Sequence, residues 1–211
     1  MGKTTRAAAK RAAPSCARFV AWLLMIFATA ALAGCGGGAP VTVVQSKKDE
    51  SYTAKLQRVM VVRDFYLTGM SEVPMNGLVR LSEIKVAFDT KVAGPHGVQA
   101  DYVDVTEYGK VVRDVRREPA VAQAMGTFRP THLLELKAAS ATEKASLQRY
   151  TVDAGLYDIA SGKLVWRSQI VIDNMAGHLM RVGDRLAPAH QDEANLFVDA
   201  LRSQLEAAGL L

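Results

Sequence analysis

Alternation of apolar and polar positions is clearest in the C-terminal half of the chain. In His132-Leu133-Leu134-Glu135-Leu136-Lys137, the residues His132, Leu134 and Leu136 share one side of an extended backbone, and Leu133, Glu135 and Lys137 the other. That is the pattern of an antiparallel strand with one wetter face. Tyr150, Val152, Ala154 and Leu156 repeat it against Arg149, Thr151, Asp153 and Gly155, and so do Leu164, Trp166, Ser168, Ile170 and Ile172 against Val165, Arg167, Gln169, Val171 and Asp173. Between the last two, Asp158-Ile159-Ala160-Ser161-Gly162-Lys163 supplies the Asp, Ser and Gly of a turn. These segments predict a β-meander. Beyond them Phe197, Ala200, Leu201, Leu205 and Ala208 recur at three- and four-residue spacing, which predicts a helix capped by Asp192 at its start and Gly209 at its end.

The preceding stretch is less regular. Val59-Met60-Val61-Val62 is a short apolar run that reads as a strand buried on both faces. Residues 78–92 fit two templates. Ile84, Val86 and Phe88 alternate as a strand would, while Leu78, Leu81, Lys85 and Phe88 suit a helix. Gly94-Pro95-His96-Gly97 signals a turn, Val98 to Val105 a strand, and Pro119 with Ala120 to Met125 a helix. The sum is a two-layer α/β domain with a mixed, largely antiparallel sheet and helices packed on one main face.

A different pattern occupies the N-terminus. Lys3, Arg6, Lys10, Arg11 and Arg18 precede the uncharged apolar run Phe19–Ala33. As a helix that run spans roughly 22 Å, less than the roughly 30 Å of a bilayer's hydrocarbon core. It reads as a cleavable leader, the alternative being an uncleaved anchor with an incidental cysteine. Its close, Leu32-Ala33-Gly34-Cys35, resembles the lipobox of bacterial lipoproteins. The resemblance implies cleavage between Gly34 and Cys35, lipidation of the Cys35 thiol, and attachment to a membrane through that lipid. Gly36 after the cysteine, in place of Asp, resembles the signal for sorting to the outer membrane, facing the periplasm. The expected organisation is a leader at 1–34, a lipidated cysteine and flexible tether at 35–55, and one periplasmic domain at 56–211.

Composition removes several function classes. Five of the 26 basic residues precede Cys35 and no acidic residue does, so residues 35–211 carry 21 of each sign. The mature domain is formally neutral, which gives no support to nucleic-acid binding. Cys16 leaves with the leader and Cys35 is modified, so no disulfide, cysteine-ligated metal or thiol nucleophile is expected. No catalytic residue, metal site or cofactor is expected either. His132 has Leu134 and Leu136 as face partners, and no pair of histidines has metal-ligand spacing. A hydrolase would need Asp153, Asp173 and His132 to converge. A lipid- or small-ligand-binding protein would need a cavity lined by residues such as Tyr102, Tyr150 and Trp166.

The order of elements from Thr131 through Leu156-Tyr157-Asp158, Ser161-Gly162-Lys163 and Leu164-Val165-Trp166-Arg167 to a terminal helix resembles small proteobacterial envelope lipoproteins. The group includes the curli-secretion lipoprotein and the penicillin-binding-protein activators. What it implies is an accessory protein acting by contact with another envelope protein. Two segments are candidate partner surfaces. The first holds Met175, Leu179, Met180 and Leu186 in an irregular stretch from Asn174 to Pro188; the second is the charge run Arg113, Arg116, Arg117. Each also has a plainer reading, an ordinary loop folded over the core and an exposed helix face.

Overall fold

The computed structural model describes residues 41–67, 79–144, 147–174, 181–182, 185–186 and 189–211. Among these, six strands form one mixed sheet: β1 (Val41–Lys48), β2 (Arg58–Asp64), β3 (Gln99–Asp104), β4 (His132–Lys144), β5 (Leu147–Asp158) and β6 (Leu164–Asn174). Their spatial order is β1-β6-β5-β4-β2-β3. β2 lies between β3 and β4, parallel to both. The pairs β4/β5, β5/β6 and β6/β1 are antiparallel. The meander is thus present, continued at its free edge by a strand from the N-terminal side.

That edge strand corrects the expected organisation. Residues 41–48 are not tether: they pair with β6 from Val41 opposite Ile172 to Lys48 opposite Trp166. Val41 and Val43 pack on the core while most of the strand is exposed. An edge strand covered on one side needs few apolar residues, so its polar sequence, Val-Thr-Val-Val-Gln-Ser-Lys-Lys, resembles a linker.

The ambiguous stretch is helical. Helix α1 (Leu81–Phe88) continues through a π-helical turn at Asp89–Ala93 and a last turn at Gly94–His96, and Gly97 at φ 65° ends it. The buried set Ile84, Ala87, Phe88 and Val92 follows a period near 3.6, and Val86, which a strand would have buried beside Ile84, is exposed. The Glu83 carboxylate accepts the Arg80 amide at 2.8 Å, closing half of a capping box. Helix α2 (Pro119–Phe128) starts at its proline as expected.

Helix α3 (Ala189–Ala207) begins earlier than its expected cap, so Asp192 lies inside its first turn rather than before it. Its end follows the reading of Gly209. The Leu210 amide reaches Leu205 O at 2.9 Å and the Gly209 amide reaches Glu206 O at 2.8 Å, with Gly209 at φ 67°. This is a Schellman closure, and it turns Leu210 into the core.

Two apolar layers hold the sheet. On one face Val59 and Val61 of β2 join Leu134, Val152, Trp166 and Ile170 beneath Ile84, Phe88, Phe197 and Leu201. On the other, Met60, Val62 and Leu133 are covered by Val115 and Val121. β2 is therefore buried on both faces, as its continuous apolar run predicts. The second cover stops at β4, which leaves the outer face of β5, β6 and β1 open.

Candidate functional site

The open face of the meander is arranged in rows set by strand register. One row runs Lys47, Arg167, Gly155, Glu135 across β1, β6, β5 and β4; its neighbour runs Gln45, Gln169, Asp153, Lys137. Gly155 interrupts the first row. A Cβ there would lie 3.3 Å from Leu164 Cδ1 and 3.4 Å from Tyr157 Cε2, so those side chains lean over bare backbone. The result is an open hollow of about 240 Å³ lined by residues that include Glu135, Lys137, Asp153, Tyr157, Arg167 and Gln169. Partial burial raises the Glu135 pKa, and the Tyr157 hydroxyl donates to its carboxylate. Gln169 Nε2 donates to Asp153 Oδ1 at 2.8 Å. The face is wet, as the alternation predicts, and its polar groups converge on one depression.

Buried charge gathers where the parallel strands end. Arg63 and Asp64 close β2 and point to opposite faces. The Arg63 guanidinium donates to Val79 O (3.0 Å), Asp104 Oδ2 (3.0 Å) and Thr106 Oγ1 (3.1 Å) and lies over the Phe65 ring. Asp64 is buried, with Lys137 Nζ 3.6 Å away. Burial raises its pKa despite that lysine. Lys137 Nζ also donates to Val112 O at 2.7 Å, which pins the segment running to the arginines over the second apolar layer. These contacts tie strand ends to covering loops; they order the structure around the open face.

His132 is a satisfied, buried histidine. Thr131 Oγ1 donates to Arg58 O at 3.0 Å, so its oxygen accepts from His132 Nδ1 at 2.9 Å, and Nε2 is left to accept from the Tyr52 hydroxyl at 2.5 Å. Desolvation lowers the His132 pKa, with Asp158 opposing. Asp158 accepts from Ser161 N and Oγ at 2.8 and 2.5 Å, as the turn sequence predicts.

The three residues that a hydrolase would require do not meet. Asp153 is paired in register with Gln169, Asp173 is held by Arg149, and His132 sits at the far end of β4 beside Asp158. Among the described residues, neither of the two surface hollows is lined by Tyr102, Tyr150 and Trp166 together. Tyr150 and Trp166 are buried in the helix-side core, and the Tyr102 hydroxyl donates to Asp89.

Of the predicted partner residues, Arg113, Arg116 and Arg117 are all exposed. They lie in and beside a single 3-10 turn, Val115–Arg117, rather than on a longer helix face, because Asp114 caps the turn by accepting the Arg116 amide. Asp114 also holds Arg116 through Nε at 2.8 Å and Nη2 at 3.1 Å, and Arg116 lies over Tyr157. Arg117, with its side chain 88% exposed, keeps only a 3.6 Å contact to Asp114. Gly34, Cys35, Met175, Leu179 and Met180 lie outside the described residues. Leu186 ends a two-residue strand, Arg185–Leu186, paired with Arg181–Val182, so this part of the expected irregular stretch is ordered as a small ladder.

Sequence reasoning missed Lys47, Arg167, Arg63, Asp64 and Tyr52. Only Arg63-Asp64 carried a local signal, two opposite charges directly after an all-apolar strand.

Among the described residues no helix is long and apolar enough to cross a membrane. No family model and no curated protein matches the chain. Solved structures do resemble it. The PelC dodecamer from Paraburkholderia phytofirmans gives a TM-score of 0.45 at 10% identity, covering 78% of this chain and 96% of that one. Lipoprotein GNA1162 from Neisseria meningitidis gives 0.36 at 14% identity, covering 72% and 99%. A protein from Xanthomonas campestris gives 0.34 at 8% identity, covering 77% and 91%.

Proposed function

We propose that this chain is an exported lipoprotein of the bacterial cell envelope, anchored through Cys35 and acting by contact with another envelope protein rather than by catalysis. The observation that carries the reading is the order of the N-terminal segment: basic residues, an apolar run too short to span, small residues, a cysteine, and then a sheet that starts at Val41. Only Gly36-Gly37-Gly38-Ala39-Pro40 separates Cys35 from the first strand. Extended, that link reaches at most about 20 Å. The domain therefore stays against the bilayer, entered at one end of its edge strand.

Register then orients the surfaces. β1 runs away from the anchor for eight residues, about 26 Å. The Asp158–Lys163 turn lies at the far end, and Arg116 Nη1 contacts Gly162 O there at 3.5 Å. In an upright domain the arginine turn faces away from its own membrane, toward soluble or opposing partners. Gly36 supports residence in the outer membrane.

Replacing Cys35 with Ser tests the anchoring. The variant is expected to accumulate at precursor size and to leave the detergent phase on phase separation. Normal processing and partitioning would refute the reading.

A further inference from the structure

The antiparallel register sets Lys47 directly across from Arg167, and Arg167 directly across from Gly155. Cross-strand neighbours of this kind have Cβ atoms roughly 4.5–5.5 Å apart, and like charges so placed weaken a ladder. Both cations are exposed, and neither forms an ion pair or side-chain hydrogen bond among the described residues. The acids around them are occupied or apart. Asp153 accepts from Gln169, Glu135 accepts from Tyr157, and Asp49 accepts from Ser51 N and Oγ at 3.0 and 2.7 Å. Glu50 is exposed and pairs with neither cation. A repulsive pair is thus retained beside a hollow that Gly155 opens and that Tyr157 and Leu164 wall. Such a local conflict, without internal compensation, is where functional sites are expected.

We infer that this row binds an anionic saccharide, its acid group seated between Lys47 and Arg167 and its neutral ring in the hollow against Tyr157. The guanidinium offers a planar fork to a carboxylate or phosphate, and the ammonium offers a compact second charge. Gln45, Gln169 and Asp153 line the floor with donors and acceptors matched to hydroxyl groups. The acid group is common to uronic acids and sugar phosphates. This inference does not depend on the lipid at Cys35.

The test is calorimetric titration of the full chain, purified in a sugar-free detergent, with trigalacturonic acid, glucose 6-phosphate and neutral maltotriose. At least one acidic probe is expected to bind and maltotriose is not; which acid binds identifies carboxylate or phosphate as the recognised group. The double variant Lys47→Gln, Arg167→Gln should weaken binding at least about tenfold, with no loss of thermal stability because a repulsive pair is removed. Lys85→Gln, at an exposed lysine of α1 on the helix side of the sheet, should leave affinity unchanged. Failure of both acids to bind, equal binding of maltotriose, or equal weakening by Lys85→Gln would overturn the assignment.

Discussion

Two titratable residues, the half-buried Glu193 and the buried His132, give this domain opposing responses to pH. Glu193, in the first part of α3, has its pKa pushed up to about 7 by burial and by Glu83. The folded state keeps a proton on it that the unfolded chain gives up above its ordinary value of 4.5, so this stabilisation is complete below that value and lost as pH rises through about 7. His132 works the other way. Burial lowers its pKa from 6.5, so the folded state favours the neutral ring, and the contribution present above that value is lost as pH falls. The two trends overlap near pH 6 and mask each other in the native protein. Glu193→Gln should raise the melting temperature at about pH 8 and leave it unchanged at about pH 4, whereas His132→Gln should remove the loss on the acid side. Melting curves of both variants across that range check the signs. Neither residue announced its environment in the sequence. The Tyr52 partner of His132 is 80 positions away, and Glu193 reads as one acid in a polar helix start.

Local rules are sharper at the level of elements. Gly209 sits at φ 67°, where a Cβ is strained, and its turn brings Leu210 into the core. Gly126 lies inside α2 with open space where a Cβ would go. Gly209→Ala should therefore cost about 1 kcal/mol, and Gly126→Ala should gain up to about 1 kcal/mol. Urea unfolding of the two single variants separates them, and equal effects would contradict the assignment of the helix end. What was legible followed the strength of the periodic signal. β4, β5, β6 and the α3 stripe were readable because half of each element faces an apolar layer. α1 was not, since Ile84 and Phe88 satisfy both periods and only the exposure of Val86 separates them. β1 was hidden because a free edge strand is mostly polar. The candidate site was hidden with it, for the row of Lys47, Arg167 and Gly155 exists only once strands 120 residues apart in sequence are in register.

At the scale of the whole molecule, the proposed anchoring at Cys35 would convert sheet register into orientation. The Asp158–Lys163 turn and the arginine turn belong to the end remote from Val41, while Arg149 and Asp173 lie near it. Cysteines introduced singly in place of Lys163 and Arg149 should differ in reactivity toward a bulky maleimide on intact membranes, Lys163→Cys being labelled several-fold faster. Inserting about 20 Gly/Ser residues after Gly38 should abolish the difference without changing the melting temperature, because the added chain frees the domain to reorient. Equal labelling before the insertion would dismiss the upright placement.

Under the proposed anchoring, the edge strand would also lie in the path of a mechanical load. A pull between a lipid on Cys35 and a partner at the remote end would enter at Val41 and run along the axis of β1, in the direction that slides it past β6. Hydrogen bonds loaded in shear share the force along the whole ladder, unlike those of a strand unzipped from its tip one pair at a time. With Lys48 Nζ fastening the strand's far end to Ala208 O at 2.7 Å, tension is passed on to the α3 terminus. Under the proposed anchoring, an outer strand that looks dispensable by its composition would serve as the rivet line between the bilayer and the rest of the domain.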